Sequence, residues 1–404
     1  MAAELGEPMT LFTDSEFESL HRPIEDATGL PSRAYVDAAW FDAEQERIFG
    51  RRWVAACFRH QMAAPGTVRP VVVAGRPVLL VTDAAAEVRA FHNVCAYDAC
   101  EVASEPATGV ERLVGAYHGW QWDLTGRLVA TPYFDGTPEP SVDHLSTRGD
   151  LVPIAVATWL DLVFVCLASS PPDFDEVTAP IRERLARADL SDFEICRDED
   201  GSPRISSGVV PSNWKIAFEN DVEILHESFV HDDYRASPYS PKVDAAGSMT
   251  CLAVADRGLF GLAAPISEYF DPDDAPLPGI PVEGADHLDR FHIYDLYPNV
   301  QIGVGADHFT LGFYRPDGPA ASHNEVAYYV HRSCAADHTI TAVVAAAWEH
   351  TRVEDNVVCA ATQRGRHSPA LAATFYAPFW DQHVQHFHQL IARDLTIDER
   401  SQPR

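Results

Sequence analysis

The chain has 404 residues, of which 46% are apolar and 22% charged, an ordinary globular balance on a length that usually exceeds one hydrophobic core, so two domains are expected. Thirty Lys and Arg against 60 Asp and Glu leave a formal charge of −30; such a surface repels phosphate backbones and anionic headgroups, which argues against nucleic-acid and membrane binding and leaves room for a basic redox partner. No run approaches the ~18 apolar residues of a membrane span.

Met1-Ala-Ala-Glu-Leu-Gly-Glu-Pro8 has neither the basic nor the apolar stretch of a signal peptide. The eight cysteines (Cys57, Cys95, Cys100, Cys166, Cys196, Cys251, Cys334 and Cys359) follow no disulfide spacing. A reduced, cytoplasmic protein is expected. Residues 1–50 are polar and then helical in pattern, with Asp42–Phe49 ending on an apolar pair. From 51 to 168 the texture is β: Val71–Val81 predicts two strands around a Gly-containing turn, and Val152–Val156 and Leu162–Leu167 predict two more. Ser169-Ser-Pro-Pro-Asp-Phe-Asp175 is a turn-rich linker.

Residues 169–404 read as α+β. Strands are expected at Ser206–Val210, Met249–Val254, Val300–Gly305, Phe309–Tyr314 and Glu325–Arg332. Helices are expected at Val177–Leu190, Asn213–Phe229, Thr339–Gln363 and Pro378–Asp394, with a Pro- and Asp-rich loop at Phe270–Gly279. The histidines of Trp380–His388 fit an amphipathic helix that ends the fold.

The most informative stretch is Asn213-Trp-Lys-Ile-Ala-Phe-Glu-Asn-Asp-Val-Glu-Ile-Leu-His-Glu-Ser-Phe-Val-His231. Glu219, Glu223 and His226 fall at i, i+4 and i+7, which predicts one helical face. His231 lies about 140° further around an ideal helix, so the two imidazoles converge only if the helix ends or bulges between them. Taken alone, such a His pair is as readily two core or surface histidines beside an acidic face. Two imidazoles and one carboxylate also form the triad that holds non-heme Fe(II) with positions open for oxygen and substrate. Asp355, inside a second long helical pattern, is available as the carboxylate.

Asn-Trp-Lys, Glu-Asn, Glu-x-x-His-x4-His and a later Glu-Asp helix ending Gln-Arg-Gly365 resemble the catalytic domain of Rieske-type ring-hydroxylating oxygenases and their demethylating relatives. The resemblance implies an N-terminal all-β Rieske-like domain and a helix-grip-like catalytic domain, an antiparallel sheet with long helices around a mononuclear iron. It implies His226, His231 and Asp355 as ligands of Fe(II), Glu223 as the carboxylate bridging to a neighbouring subunit's cluster, and Asn220 as a polar residue beside the iron. Phe218, Val222, Leu225 and the Asn299–Gly303 strand are candidate substrate-pocket or core residues by proximity.

A Rieske 2Fe–2S centre takes two Cys and two His, and the family pattern is Cys-x-His, a spacer, then Cys-Pro-Tyr-His-Gly-Trp. This chain has Phe91-His-Asn-Val-Cys-Ala-Tyr97 and Gly115-Ala-Tyr-His-Gly-Trp-Gln-Trp122. Cys95 and His118 stand at ligand positions, but Tyr97 replaces the other His and Gly115 the other Cys. Cys100 and His92 are the nearby substitutes, neither on the expected position. No 2Fe–2S cluster is therefore expected in this chain, and Tyr117, Trp120 and Trp122 are expected to pack the vacated loops.

These features predict a non-heme Fe(II) oxygenase subunit that hydroxylates or oxidatively demethylates a small organic substrate with O2. Its electrons would come from a cluster-bearing paralogue in a mixed trimer, or from a ferredoxin or reductase. The alternatives are a non-catalytic structural partner in a hetero-oligomer and an iron enzyme whose substrate supplies the electrons.

Overall fold

In the computed structural model, residues 11–223, 225–231, 252–265, 277–284 and 290–400 are described. Cys251 and most of the Phe270–Gly279 loop lie outside them, as does the start of the strand expected at Met249. The chain forms two compact units, Phe49–Phe174 on the one hand and Met1–Ile48 with Asp175–Arg404 on the other. Residues 11–48 thus pack with the C-terminal unit rather than as a separate segment. Among the described residues no helix is long and apolar enough to cross a membrane, and their seven cysteines are all free.

The Phe49–Phe174 unit is a six-stranded antiparallel sheet beside a three-stranded one. Val68–Val73 and Arg76–Thr82 form the hairpin expected around Gly75, whose φ of +67° a glycine adopts freely. The apolar runs Leu79–Val81 and Leu162–Val165 are buried throughout, as strands covered on both faces require. Leu113–Val114, Gln121–Trp122 and Leu128–Ala130 form the small sheet. Trp120 and Trp122 sit in the core between the sheets, and the Trp122 indole donates to the Gly149 carbonyl at 2.7 Å.

The C-terminal unit is built on an eight-stranded antiparallel sheet running from Phe193–Ile195 through Ser322–His331, His308–Pro316, Val300–Val304, Arg290–Leu296 and Leu259–Pro265 to Leu252–Asp256, with Ile205–Val210 also paired to Ser322–His331. Trp214–Val222, His338–Gly365 and Gln382–Arg400 are its helices nearest the sheet. The expected Val177–Leu190 helix forms at Phe174–Leu185. His338–Gly365 is capped by Asp337, whose carboxylate accepts from the Thr339 and Ile340 amides. Its buried positions Thr341, Ala345, Cys359 and Gln363 recur on one face, the stripe that also carries Asp355.

Trp214–Val222 is fixed by a buried polar cluster. The Asn213 side chain caps it through the Lys215 amide, and Lys215 Nζ lies 2.6 Å from Glu44 and 2.7 Å from Asn213 Oδ1. The Trp214 indole donates to the other Glu44 oxygen at 2.8 Å. Lys215 and Glu44 side chains are wholly buried, and burial lowers the Lys215 pKa and raises that of Glu44 despite their attraction. Removing one partner strands the other's charge in a low dielectric. Lys215→Ala is expected to cost about 3–5 kcal/mol in reversible chemical unfolding, and the double variant Glu44→Gln/Lys215→Met to cost clearly less. Equal losses would show that the charge pair contributes only packing.

Candidate metal centre

The expected continuous helix from Asn213 to Phe229 stops at Val222. Glu223 takes extended dihedrals, φ −84° and ψ 116°, and its carboxylate turns back to accept from the Leu225 and His226 amides. The His226 carbonyl then accepts from Phe229 and Val230 at 2.8 and 2.9 Å and opens the short helix Glu227–Val230. His226 thus sits in the elbow between two helices and His231 just past the second. The elbow cancels the angular offset of the two histidines, and their ring centroids come within 5.3 Å.

The elbow also corrects the expected Glu219–Glu223–His226 face. Glu219 points instead into a buried network, accepting from the Tyr35 hydroxyl at 2.5 Å, lying 3.0 Å from His388 Nε2 and 3.6 Å from Arg366. His388, on the C-terminal helix, also meets Tyr376 at 2.7 Å, and His383 contacts the Val222 carbonyl at 2.8 Å. The terminal histidines are therefore interior anchors of the motif helix. A pattern of histidines at helical spacing does not show which polar groups meet them.

His226, His231 and Asp355 each present a donor atom within 4.8 Å of the others. Asp355 Oδ1 is 3.4 Å from Nε2 of both histidines. Each Nδ1 faces a glutamate: Glu223 for His226 at 3.2 Å and Glu354 for His231 at 2.8 Å. A carboxylate accepting from Nδ1–H fixes the tautomer and aims the Nε2 lone pair at the centre. The donor set and its orientation fit a two-His, one-carboxylate iron site. Asn220 donates towards His226 Nε2 at 3.1 Å and Asp355 Oδ1 at 3.2 Å, and is itself held by the Cys359 thiol at 2.8 Å. Burial opposes a charge on His226, but Asp355 and Glu223 outweigh it and hold its pKa up at about 10 without metal.

Two hollows meet at Asn220, His226 and Cys359. One, of 110 Å³, lies towards the sheet and is lined by Asp221, Gln301, Tyr314, Trp348 and Arg352 among others. The other, of 380 Å³, is lined by Glu219, Glu223, Arg366, Tyr376 and Asp381. Phe218, Val222 and Leu225 line neither. Phe218 and Val222 are fully buried, Phe218 against the Tyr314, Phe260 and Phe387 rings, and Leu225 is 39% exposed. These three are therefore core or surface residues and not pocket residues: the helix turns Ala217, Asn220 and Asp221 to the sheet-side hollow and its large apolar side chains to the core. Gln301 is the contribution of the 299–303 strand.

Burial pushes the Asp221 carboxyl up to about 8, helped by the nearby Asp355 charge and opposed by Tyr314 and Gln301 hydrogen bonds. Asp295, also buried, is held well above the usual carboxylate range by burial and then by Asp221. Neither aspartate, nor Glu354, was singled out from the sequence. Only the Glu-Asn-Asp triplet placed Asp221 beside a motif residue, and nothing local marked Asp295.

In the β unit Cys95 is buried, and burial pushes its thiol up. His118 Nδ1 pairs with Asp98 at 2.7 Å. Tyr97 stacks on Trp120 with ring centroids 5.2 Å apart and 6° between planes. Gly115 presents no donor, although a Cβ there would meet the Trp122 ring at 3.5 Å and the Trp120 carbonyl at 3.7 Å, both ordinary contacts. Tyr117 is 67% exposed and does not fill the loops as expected; it leans on the His118 ring instead.

Two family models match the chain: the Rieske [2Fe-2S] domain over residues 52–143 and the ring hydroxylating alpha subunit (catalytic domain) over 187–396. Among known proteins, the glycine betaine monooxygenase oxygenase subunit of Pseudomonas aeruginosa is 27% identical over 57% of this chain and 50% of its own length. The chain thus spans about half the length of that relative. The chloroplastic choline monooxygenase of Spinacia oleracea is 27% identical over 98% of this chain and 86% of its own. Two solved structures share the fold: the quaternary ammonium Rieske monooxygenase CntA in complex with L-carnitine, with TM-score 0.72 at 17% identity over 94% of this chain and 98% of that one, and naphthalene 1,2-dioxygenase with indole bound, 0.70 at 16% over 93% and 95%. With an N-terminal Rieske domain followed by this catalytic domain, the chain belongs to the ring-hydroxylating alpha subunits, the Rieske oxygenases with a mononuclear iron site.

Proposed function

We propose that this chain is a non-heme Fe(II) oxygenase subunit that hydroxylates or oxidatively demethylates a small organic substrate with O2, on electrons supplied by another chain. The observation that carries it is the convergence of His226 Nε2, His231 Nε2 and Asp355 within 4.8 Å, with both Nδ1 atoms held by glutamates. Iron in such a triad supplies oxygen activation when electrons reach it. His226, His231 and Asp355 hold the metal, and Glu223 and Glu354 orient the imidazoles. Asn220 holds its amide against both His226 and Asp355. Glu223 also lines the larger hollow, which suits it to couple the site to an electron donor docked there. The glycine betaine and choline enzymes among the relatives favour a small polar substrate.

We further propose that the β unit carries no 2Fe–2S cluster. The match to the Rieske domain speaks for a cluster and the donors speak against one. The match reports a framework, whereas a cluster needs four donors, and this chain offers Cys95 and His118. A glycine has no ligand atom, and Tyr97 is engaged with Trp120. Electrons then come from a cluster-bearing paralogue in a mixed trimer, or from a ferredoxin or reductase.

The purified chain is expected to hold about one iron and no acid-labile sulfide, with no Rieske bands in its visible spectrum. Sulfide with Rieske bands would overturn the second proposal. Loss of iron in His226→Ala and His231→Ala is expected, while Glu223→Gln keeps iron and loses partner-driven turnover; iron retained in both histidine variants sinks the ligand assignment. A wild-type chain that takes up no Fe(II) anaerobically would point to the non-catalytic structural partner.

The double variant Tyr97→His/Gly115→Cys restores four donors where the side chains have room. It is expected to bind a cluster on reconstitution with iron and sulfide, read as Rieske absorption absent from wild type. A colourless double variant would show that the loops no longer form the site.

Iron uptake must displace the His226 proton. Apparent Fe(II) affinity is expected to rise with pH between about 6.5 and 10, by up to about tenfold per pH unit. A raised folded-state pKa also means that the metal-free protein has its full His226 contribution below 6.5 and loses it as pH rises through 10. Anaerobic Fe(II) titrations at three pH values test the first point, and a flat profile would contradict it.

A further inference from the structure

The sheet-side hollow is lined by an aspartate that the iron chemistry does not use, Asp221, and a second buried aspartate, Asp295, neighbours it on the sheet. Asp295 has no exposed surface, and neither of its carboxyl oxygens has a hydrogen-bond partner. It stands opposite Gln301 in the antiparallel pairing of Arg290–Leu296 with Val300–Val304, so the two side chains leave the same face of the sheet. Gln301 lines the hollow, as does Ile293 two residues before Asp295 on that face. Asp221 approaches from the motif helix. Gln301 and Tyr314 hydrogen-bond it, and its Oδ2 has no partner. Three oxygens of these two carboxyls thus have no donor, and the Asp221 charge adds to the cost of ionising Asp295.

Buried carboxyls are normally paired or hydrogen-bonded, because an unmet acceptor in a dry interior is costly. The one guanidinium in this wall, Arg352, makes its hydrogen bond to Asn324 at 3.5 Å and no ion pair with either acid. The other titratable groups lining the hollow are His226, His231, Asp355, Tyr314, Tyr328 and Cys359, of which the two histidines and Asp355 form the triad. A small cation able to donate hydrogen bonds is the chemistry that such acceptors match.

We propose that Asp221 and Asp295 form the subsite for a protonated amine of the substrate, one that keeps at least one N–H. This rests on the oxygenase reading only in calling the occupant a substrate. Tyr314, Tyr328 and Trp348 are aromatic side chains of the same wall, a residue type that attracts any ammonium. Only an N–H-bearing ammonium also satisfies the waiting oxygens, since a quaternary nitrogen presents methyl groups alone. The pair therefore acts as a specificity determinant that separates amines from their fully methylated counterparts.

Calorimetric titration of the full-length chain at about pH 7 with three near-isosteric probes tests this. N,N-dimethylethanolamine carries an ammonium N–H, choline is quaternary, and 3,3-dimethylbutan-1-ol is neutral. The amine is expected to bind at least about tenfold more tightly than either of the others. Asp221→Asn and Asp295→Asn are expected to abolish that preference while iron content stays that of wild type. Choline or the alcohol binding as tightly as the amine, no binding of any probe, or an unchanged preference in Asp221→Asn would each overturn the proposal. The wild-type ranking needs no variant, and Asp221, on the wall of the hollow, remains informative if Asp295→Asn fails to fold. A wild-type chain without iron would defeat the oxygenase reading and leave the probe ranking intact, whereas a flat ranking on an iron-loaded chain defeats only the subsite.

Discussion

The break in the motif helix at Glu223 is the constraint on which the metal centre depends. An uninterrupted helix would send His226 and His231 in different directions. The chain instead leaves helical dihedrals at Glu223, and the carboxylate of that residue caps the following turn through the Leu225 and His226 amides. The same carboxylate reaches His226 Nδ1. One side chain thus stabilises the elbow, orients a ligand and faces the larger hollow, so the geometry of the centre and its access are set at one point.

That elbow needs a rigid frame, because a metal site tolerates little error in the placement of its ligands. Upstream, the motif helix is fixed through Lys215, Glu44 and Asn213. Its middle is held by Glu219 against Tyr35, His388 and Arg366, with the Arg366 guanidinium 3.9 Å from the centre of the Tyr35 ring. Its end is held by His383 on the Val222 carbonyl. Two of these anchors come from the first 48 residues and two from the last helix. The frame therefore closes only when Tyr35 and Glu44 meet the last helix's His383 and His388 around the motif helix.

The two candidate metal sites contrast sharply. At the mononuclear centre, donors, orienting glutamates and supporting amide are all present. In the β unit the framework persists, with Trp120 and Trp122 buried in its core, while two of four donor positions have none. Packing of the β unit rests on apolar side chains that are indifferent to the ligands, which is why the framework stands whatever occupies Tyr97 and Gly115.

The sequence by itself determined the two-part architecture, nine of the 19 strands among the described residues, the long helix carrying Asp355, and the three residues that meet at the candidate metal centre. These are written in local period and in closely spaced polar residues, and spacing along a helix is fixed by its geometry. Only the tertiary structure decided the elbow at Glu223, the destination of Glu219, the role of the terminal histidines, the core positions of Phe218 and Val222, and the Asp221–Asp295 pair. Each of these depends on groups far apart in the chain: Asp295 is an ordinary polar residue within a strand until the sheet turns it towards Gln301 and a helix brings Asp221 against it. Long-range polar pairing leaves no local trace, because the partner that decides whether a buried charge is costly is chosen by the fold.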